Sequence, residues 1–136
     1  TILRKRPRFR AVFAGFEPEV VAAFGDDDIQ RLMADAGIIR NRAKIEATIS
    51  NARVTLEMAE GELDEFVWSF APPAGRRRPE SLGDIPAVTT ESTALSKALR
   101  SRGFRFVGPT TMYALMQSAG LVNDHLVTCF RYDEVA

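Results

Sequence analysis

The segment from Gly103 to Gly108 could bind a phosphate group through its backbone. It is six residues long with glycine at both ends, and glycine accepts positive φ angles and leaves its N–H group open to a close ligand. Pro109 follows, and proline suits the first position of a helix because no N–H donor is needed there. The free N–H groups and the positive dipole end of that helix would face the same ligand. The pattern predicts a hairpin between two helices whose amides bind a phosphate.

The charge around this hairpin favours a nucleic-acid backbone as its ligand, although paired glycines also occur in helix connections that bind nothing. No acidic residue lies between Ser92 and Ala119. The basic residues close to the turn are Lys97, Arg100, Arg102 and Arg105. Three apolar side chains are expected to anchor the turn in the core while its backbone faces outward: Phe104, Phe106 and Val107. The residues predicted to contact DNA are Gly103, Phe104, Arg105, Phe106, Val107, Gly108 and Thr110.

A second pair of residues could bind a metal ion. His125 and Cys129 are four positions apart, which on a helix places both side chains on one face. Imidazole nitrogen and thiolate sulfur are normal zinc ligands. The chain has one histidine and one cysteine, and such an isolated pair is more often part of a core than of a metal site.

The elements that must position these residues have a helical pattern throughout. Helices are predicted near residues 2–14, 18–24, 27–35, 41–60, 62–70, 91–102, 109–119 and 122–130. Pro18 is expected in the first turn of the second helix, Asp26 is expected to cap the third, and Gly37 to end it. No segment alternates with period two over a useful length, so the predicted fold class is all-α.

The sequence also predicts a link between helices, a core stripe, an internal loop and a helix cap. Residues 38 and 39 are expected to form a buried link into the long fourth helix. The apolar residues expected to form the core stripe of that helix are Ile45, Ile49, Ala52, Leu56 and either Met58 or Ala59. Residues 72–90 are predicted to be an internal loop, beginning with a proline- and arginine-rich stretch. Thr89, Thr90 or Ser92 is expected to cap the helix that leads into the hairpin.

Composition limits the possible classes of protein. A chain of 136 residues with 46% hydrophobic content predicts one globular domain spanning 1–136. The formal net charge is zero, which excludes a general polyanion binder and requires a local basic patch for any nucleic-acid contact. One cysteine excludes an internal disulfide and fits a reducing cytoplasm. No apolar run is long enough to span a membrane, and no signal peptide is expected.

Four segments, in order, resemble the bacterial type I DNA-3-methyladenine glycosylases of the helix-hairpin-helix superfamily. These segments are Ala36–Ile45, Leu63–Phe70, Ser92–Leu99 and Arg102–His125. The resemblance extends over nearly the whole chain, and several long motifs in the right order are far more specific than one short motif. The resemblance implies a helix-hairpin-helix glycosylase-like bundle. It also implies a base-excision-repair enzyme that hydrolyses the N-glycosidic bond of 3-methyladenine in double-stranded alkylated DNA.

The resemblance also implies where the chemistry is performed. Methylation makes the base cationic and a good leaving group, so the enzyme mainly flips the base, stacks it and stabilises charge with a carboxylate. The family carboxylate belongs to a segment expected to precede Thr1, so the catalytic residue of this chain is unknown. Asp124 lies 16 positions after the hairpin, near a catalytic aspartate of the wider superfamily, but capping the last helix is the favoured interpretation. Tyr113 and Ala114 are implied to border the base pocket.

The same family carries a structural zinc ion with two cysteine and two histidine ligands. Its C-terminal pair falls at His125 and Cys129, and the other two ligands are expected from the N-terminal segment. The implied molecule is a cytoplasmic monomer with no membrane partner. The main alternative is a non-catalytic helix-hairpin-helix module that grips DNA without chemistry, and an all-helical protein-interaction domain is a third possibility.

Overall fold

A computed structural model describes residues 1–73, 75 and 77–135, and these residues form helices and connecting loops without any strand. The helices are α1 (Ile2–Val12), α2 (Pro18–Ala22), α3 (Asp26–Ala34), α4 (Arg42–Leu56), α5 (Glu62–Trp68), α6 (Thr90–Ser101), α7 (Pro109–Ala119) and α8 (Arg131–Glu134). The all-α prediction is confirmed. Within the described part of the chain, no helix is both long enough and apolar enough to cross a bilayer.

The described residues group into two compact units. The first unit contains Thr1–Glu60 together with Arg102–Phe106. The second contains Gly61–Ser101 and the described residues from Val107 onward. The predicted loop 72–90 belongs to the second unit. Its last residue, Thr90, already begins α6, and its described residues before Thr90 contain a short 3-10 turn at Leu82–Asp84. Ala74 and Arg76 of that loop lie outside the described residues.

The core of the first unit is built around α4. Its buried members are Val12, Phe13, Val21, Phe24, Leu32, Ile38, Ile45 and Ile49. Ile45 and Ile49 are one helical turn apart, as the predicted stripe requires, and burying a side chain of this size contributes roughly 1.5–3 kcal/mol. Leu56 was expected in the stripe but is 45% exposed, because α4 ends there and not near residue 60.

The ends of α2, α3 and α4 are stabilised by side chains. From α4, the Arg53 guanidinium donates to the carbonyl oxygens of Ala22 and Phe24 at 2.9 and 3.1 Å, and so binds the C-terminal end of α2. Pro18 begins α2 as predicted. Asn41 caps α4, since its side chain accepts the Lys44 N–H at 3.1 Å.

Three expectations around α3 and the link that follows it are wrong. Asp26 is the first residue of α3 and not its cap, and the Gly25 N–H is bound by the Asp28 carboxylate at 3.1 Å. α3 ends at Ala34, three residues before Gly37, because the Asp35 carboxylate accepts the Gly37 N–H at 2.7 Å and stabilises a turn in place of another helical residue. Ile38 is buried as expected, but Ile39 is 42% exposed.

The second unit contains α6 packed against α7. Thr89 is the cap of α6: its hydroxyl accepts the Ser92 N–H at 3.1 Å, while the Ser92 hydroxyl accepts the Thr89 N–H at 2.9 Å. Pro109 begins α7 as predicted, and Gly120 ends it in the left-handed conformation at φ 86°. This pair of helices flanks the segment predicted to bind phosphate.

The predicted helix at 122–130 is wrong. Apart from the short α8, the chain after Gly120 is held by bonds that compete with a helix. The Asn123 side chain donates to the Tyr132 carbonyl at 2.9 Å and accepts the His125 N–H at 3.3 Å. The Val127 N–H donates to the Pro79 carbonyl at 3.0 Å, so this stretch is tied to the internal loop.

Candidate nucleic-acid interface

The segment 103–108 adopts a turn that depends on two left-handed residues. Gly103 has φ 92°, where glycine is needed, and Phe106 has φ 58°, an unusual angle for a residue with a side chain. Gly108 has φ −63° and ψ 158°, which any residue can adopt. The tolerance of glycine for positive φ is therefore not used at Gly108. A reason for glycine at this position must come from the space beside it.

The side chains of the turn are divided between the core and solvent. Phe104 and Val107 are each 8% exposed and act as the predicted anchors. Phe106 is 51% exposed, so it does not anchor the turn. Arg105 and Thr110 are exposed. The turn thus has an apolar underside and presents an aromatic ring and a guanidinium group to solvent.

Gly108 lies directly before α7 and beside a guanidinium group. Its carbonyl accepts the Met112 N–H at 2.9 Å, which makes Gly108 the cap residue of α7. The Arg100 Nη2 atom lies 3.8 Å from the position that a Cβ on Gly108 would occupy. A helix N-terminus and a guanidinium group beside a residue without a side chain can together bind a phosphate oxygen.

One of the amides expected to bind phosphate is already occupied. The Arg105 N–H donates to Asn51 Oδ1 at 2.8 Å, and Asn51 Nδ2 donates to the Arg105 carbonyl at 2.9 Å. The idea that the whole turn offers open amides is therefore wrong at Arg105. Asn51 was missed because its partner is 54 positions away and a helical pattern does not reveal such a pair.

The two residues expected at the base pocket have different positions. Ala114 is exposed on α7 and lines an open groove of about 740 Å³, together with Gln117, Asp124 and other residues of the second unit. Tyr113 is only 2% exposed and does not line the groove. Its hydroxyl donates to Asp124 Oδ2 at 2.5 Å, so Tyr113 acts on the groove through Asp124.

Asp124 is held in the groove wall and does not cap a helix. Besides the Tyr113 hydroxyl, its Oδ2 accepts a bond from Gln117 Nε2 at 2.9 Å. Both donors come from α7 and lie on the same side of that helix, one turn apart. The arrangement fixes a carboxylate beside Ala114.

His125 and Cys129 are close together although they are not on a helix. His125 Nδ1 and Cys129 Sγ are 3.5 Å apart. Tetrahedral zinc with bonds of about 2.3 Å to sulfur and about 2.0 Å to nitrogen would place these two atoms about 3.5 Å apart, so the pair fits two zinc positions. Among the described residues, however, no group of three or more potential ligands forms.

Comparison with known proteins gives a consistent result across sequence and structure. The family model for methyladenine glycosylases matches residues 1–132. DNA-3-methyladenine glycosylase 1 of Escherichia coli K12 is 50% identical over 139 residues, which covers 97% of this chain and 72% of that protein.

Two solved structures extend this similarity to the fold. A crystal structure of 3-methyladenine DNA glycosylase I has a TM-score of 0.88 and 47% identity, covering 94% of this chain and 72% of that one. A structure of the Staphylococcus aureus enzyme, described as showing the basis of 3-methyladenine recognition, has a TM-score of 0.86 and 34% identity. It covers 94% of this chain and 70% of that one. The all-helical fold is thus that of a glycosylase. The chain belongs to the methyladenine glycosylase family.

Proposed function

We propose that this protein is a DNA repair glycosylase that hydrolyses the bond between deoxyribose and 3-methyladenine in alkylated DNA. The observation that carries the proposal is the family match over residues 1–132, which contains the hairpin and the groove residues Ala114, Gln117 and Asp124. The 50% identity to the E. coli enzyme supports the same reaction and substrate.

The chemistry makes modest demands on the residues of this chain. A base methylated at N3 is cationic, so it leaves readily once it has been turned out of the duplex and held. The groove beside Ala114 can receive a flipped base, and the Asp124 carboxylate places negative charge in its wall. Because Tyr113 and Gln117 both donate to this carboxylate, we assign it electrostatic stabilisation of the cationic base and not proton abstraction from water.

We propose that the turn 103–108 and its flanking helices act as a helix-hairpin-helix element on double-stranded DNA. The Gly108 cap position, the start of α7 and the Arg100 guanidinium would bind the phosphate backbone. Backbone contacts carry no sequence information. This suits an enzyme that must find a damaged base in any sequence.

We further propose that His125 and Cys129 hold two positions of a structural zinc ion. The 3.5 Å separation of their ligand atoms supports this assignment. When bound, the ion would crosslink the polypeptide and would take no part in hydrolysis. We also propose a cytoplasmic setting, which the single cysteine of residues 1–136 fits.

The test of the function is release of free 3-methyladenine from alkylated duplex DNA, measured by chromatography for the full-length protein and for residues 1–136. Undamaged duplex is the control and should release no base. Release by the full-length protein is the expected result. DNA binding without release would overturn the enzymatic proposal and favour the non-catalytic DNA-binding alternative.

A further inference from the structure

We propose that Asn51 is a positioning residue that holds the DNA-binding turn in its binding conformation before DNA arrives. This inference rests on the proposed function. It concerns a side chain on α4, far in sequence from both the turn and the groove. Asn51 is half-buried and belongs to the same compact unit as residues 102–106.

The Asn51 side chain and the Arg105 backbone are joined by two hydrogen bonds, which together form a clamp. The side-chain amide accepts from the Arg105 N–H at 2.8 Å and donates to the Arg105 carbonyl at 2.9 Å. A carboxamide offers a donor and an acceptor side by side, whereas a carboxylate offers only acceptors. Both backbone polar groups of one residue are therefore fixed by one side chain, and the peptide planes on either side of Arg105 cannot rotate independently.

Two further contacts come from the same side of α4. Val54 Cγ2 lies 3.4 Å from the position that a Cβ on Gly103 would occupy. The Lys44 ammonium lies 6.0 Å from the centre of the Phe106 ring. Lys44 and Asn51 are seven positions apart, so they lie on one side of the helix. α4 thus lies beside residues 103, 105 and 106, and Asn51 provides the hydrogen bonds to this stretch.

The turn needs such support because its conformation is unfavourable by itself. Arg105 lies between Gly103 and Phe106, which both have positive φ. A bulky residue keeps a positive φ only when surrounding contacts hold it there. Without the clamp, the turn would sample other conformations, and part of the free energy of DNA binding would be spent on ordering it.

The experiment compares Asn51→Ala with Asn51→Gln in the full-length enzyme, and Thr48→Ala is the matched control. Thr48 lies one turn earlier on α4, and its hydroxyl bonds only within the helix, to the Lys44 carbonyl at 2.9 Å. Affinity for undamaged and alkylated duplexes is measured by fluorescence anisotropy, and KM and kcat by release of 3-methyladenine.

For Asn51→Ala we expect about a tenfold higher Kd on every duplex and a similar rise in KM, with kcat at saturating DNA unchanged. Asn51→Gln keeps both hydrogen-bonding groups on a longer side chain and should recover part of the affinity. Thr48→Ala should bind as the wild type does. A folded Asn51→Ala enzyme with wild-type Kd and KM would overturn the inference.

Hydrogen exchange provides a second measurement that does not depend on whether Asn51→Ala folds. In the DNA-free wild type, the Arg105 amide should exchange slowly, and rapid exchange would overturn the proposal. The proposed function is judged separately: a wild-type protein that binds DNA but releases no base contradicts the glycosylase assignment, while the Kd comparison still decides the role of Asn51.

Discussion

Asp35 connects the loop after α3 to α1 through its two carboxylate oxygens. Oδ1 accepts the Gly37 N–H at 2.7 Å, and Oδ2 accepts from Arg8 Nε at 2.7 Å. Lys5 adds a bond to the Ala36 carbonyl at 2.7 Å. The Gly37 N–H, and after it the Arg8 guanidinium, hold the pKa of Asp35 below its ordinary value of 3.8.

This pKa shift predicts an acid-dependent loss of stability that Asp35→Asn should remove. Because the folded-state pKa is lower than the unfolded one, the carboxylate stabilises the fold above about pH 4, and the effect is lost as pH falls through the folded pKa. Denaturant titrations should show the wild type as more stable than Asp35→Asn at pH 7. The difference should shrink below about pH 4. Glu60→Gln, a change at an exposed carboxylate, is the control. A stability difference between the wild type and Asp35→Asn that does not change with pH would contradict the prediction.

Two buried serines on α6 should respond in opposite directions to alanine. Within the described residues, the Ser96 hydroxyl has no hydrogen-bond partner, whereas Ser92 forms the reciprocal cap with Thr89. We expect Ser96→Ala to raise the free energy of unfolding by about 1 kcal/mol, because an unpaired polar group leaves the core. Ser92→Ala should lower it by about 1 kcal/mol through loss of the cap. Urea denaturation measures both changes, and a destabilised Ser96→Ala would show that its hydroxyl has a partner in solution.

The residues of the candidate site were predicted better than the local structure that holds them. His125 and Cys129 do come together, but through a loop and not through helical spacing. The hydrogen bond from Tyr113 to Asp124 could not be predicted, because it depends on the path of the chain after α7. Side-chain partners distant in sequence are set by tertiary packing, and periodicity carries no information about them.

At the level of the elements, the helices with clear caps and apolar stripes were well predicted. α2, α6 and α7 begin within one residue of the expected positions, where proline or a hydroxyl residue marks the start. The expected last helix failed because the Asn123 side chain bonds to the backbone of His125 and of Tyr132. The pattern in that stretch is apolar enough for a helix, and only the tertiary structure supplies the competing partners.

The two glycines of the turn should differ in what they contribute. Gly103→Ala places a side chain at φ 92° and should lower the free energy of unfolding by about 1 kcal/mol. Gly108→Ala has an ordinary φ, and its methyl group would make only an ordinary van der Waals contact with Arg100, so stability should change by less than about 0.5 kcal/mol. Its DNA affinity should nevertheless fall, because the methyl group occupies the space beside Arg100 where a phosphate would approach. Urea denaturation and anisotropy separate the two effects; unchanged DNA binding by Gly108→Ala would contradict phosphate contact at this position.

Because the formal net charge of the whole molecule is zero, DNA binding must depend on one local basic surface. Affinity should fall steeply with salt, because each phosphate contact releases counterions. Arg100→Gln should reduce the slope of log K against log salt by about one. Arg131→Gln is the control, since Arg131 is paired with Glu134 at 2.6 Å. An unchanged slope for Arg100→Gln would exclude Arg100 from the contact.

The proposed zinc ion makes a second prediction for the whole molecule. In the full-length protein, Cys129→Ser and His125→Ala should each abolish bound zinc and lower Tm, because loss of one ligand opens a tetrahedral site. Atomic absorption and thermal denaturation provide the measurements. Full zinc content in Cys129→Ser would exclude the residue as a ligand.

The first compact unit is discontinuous in sequence, and this has a consequence for how the protein is made. Residues 1–60 leave the ribosome well before residues 102–106, which complete the same unit. At translation rates of about 5–20 residues per second, the Arg105 backbone groups that Asn51 binds are synthesised several seconds after α4. The nascent N-terminal half is therefore an unfinished folding unit, and a pause in translation between these two stretches would prolong its exposure to chaperones and proteases.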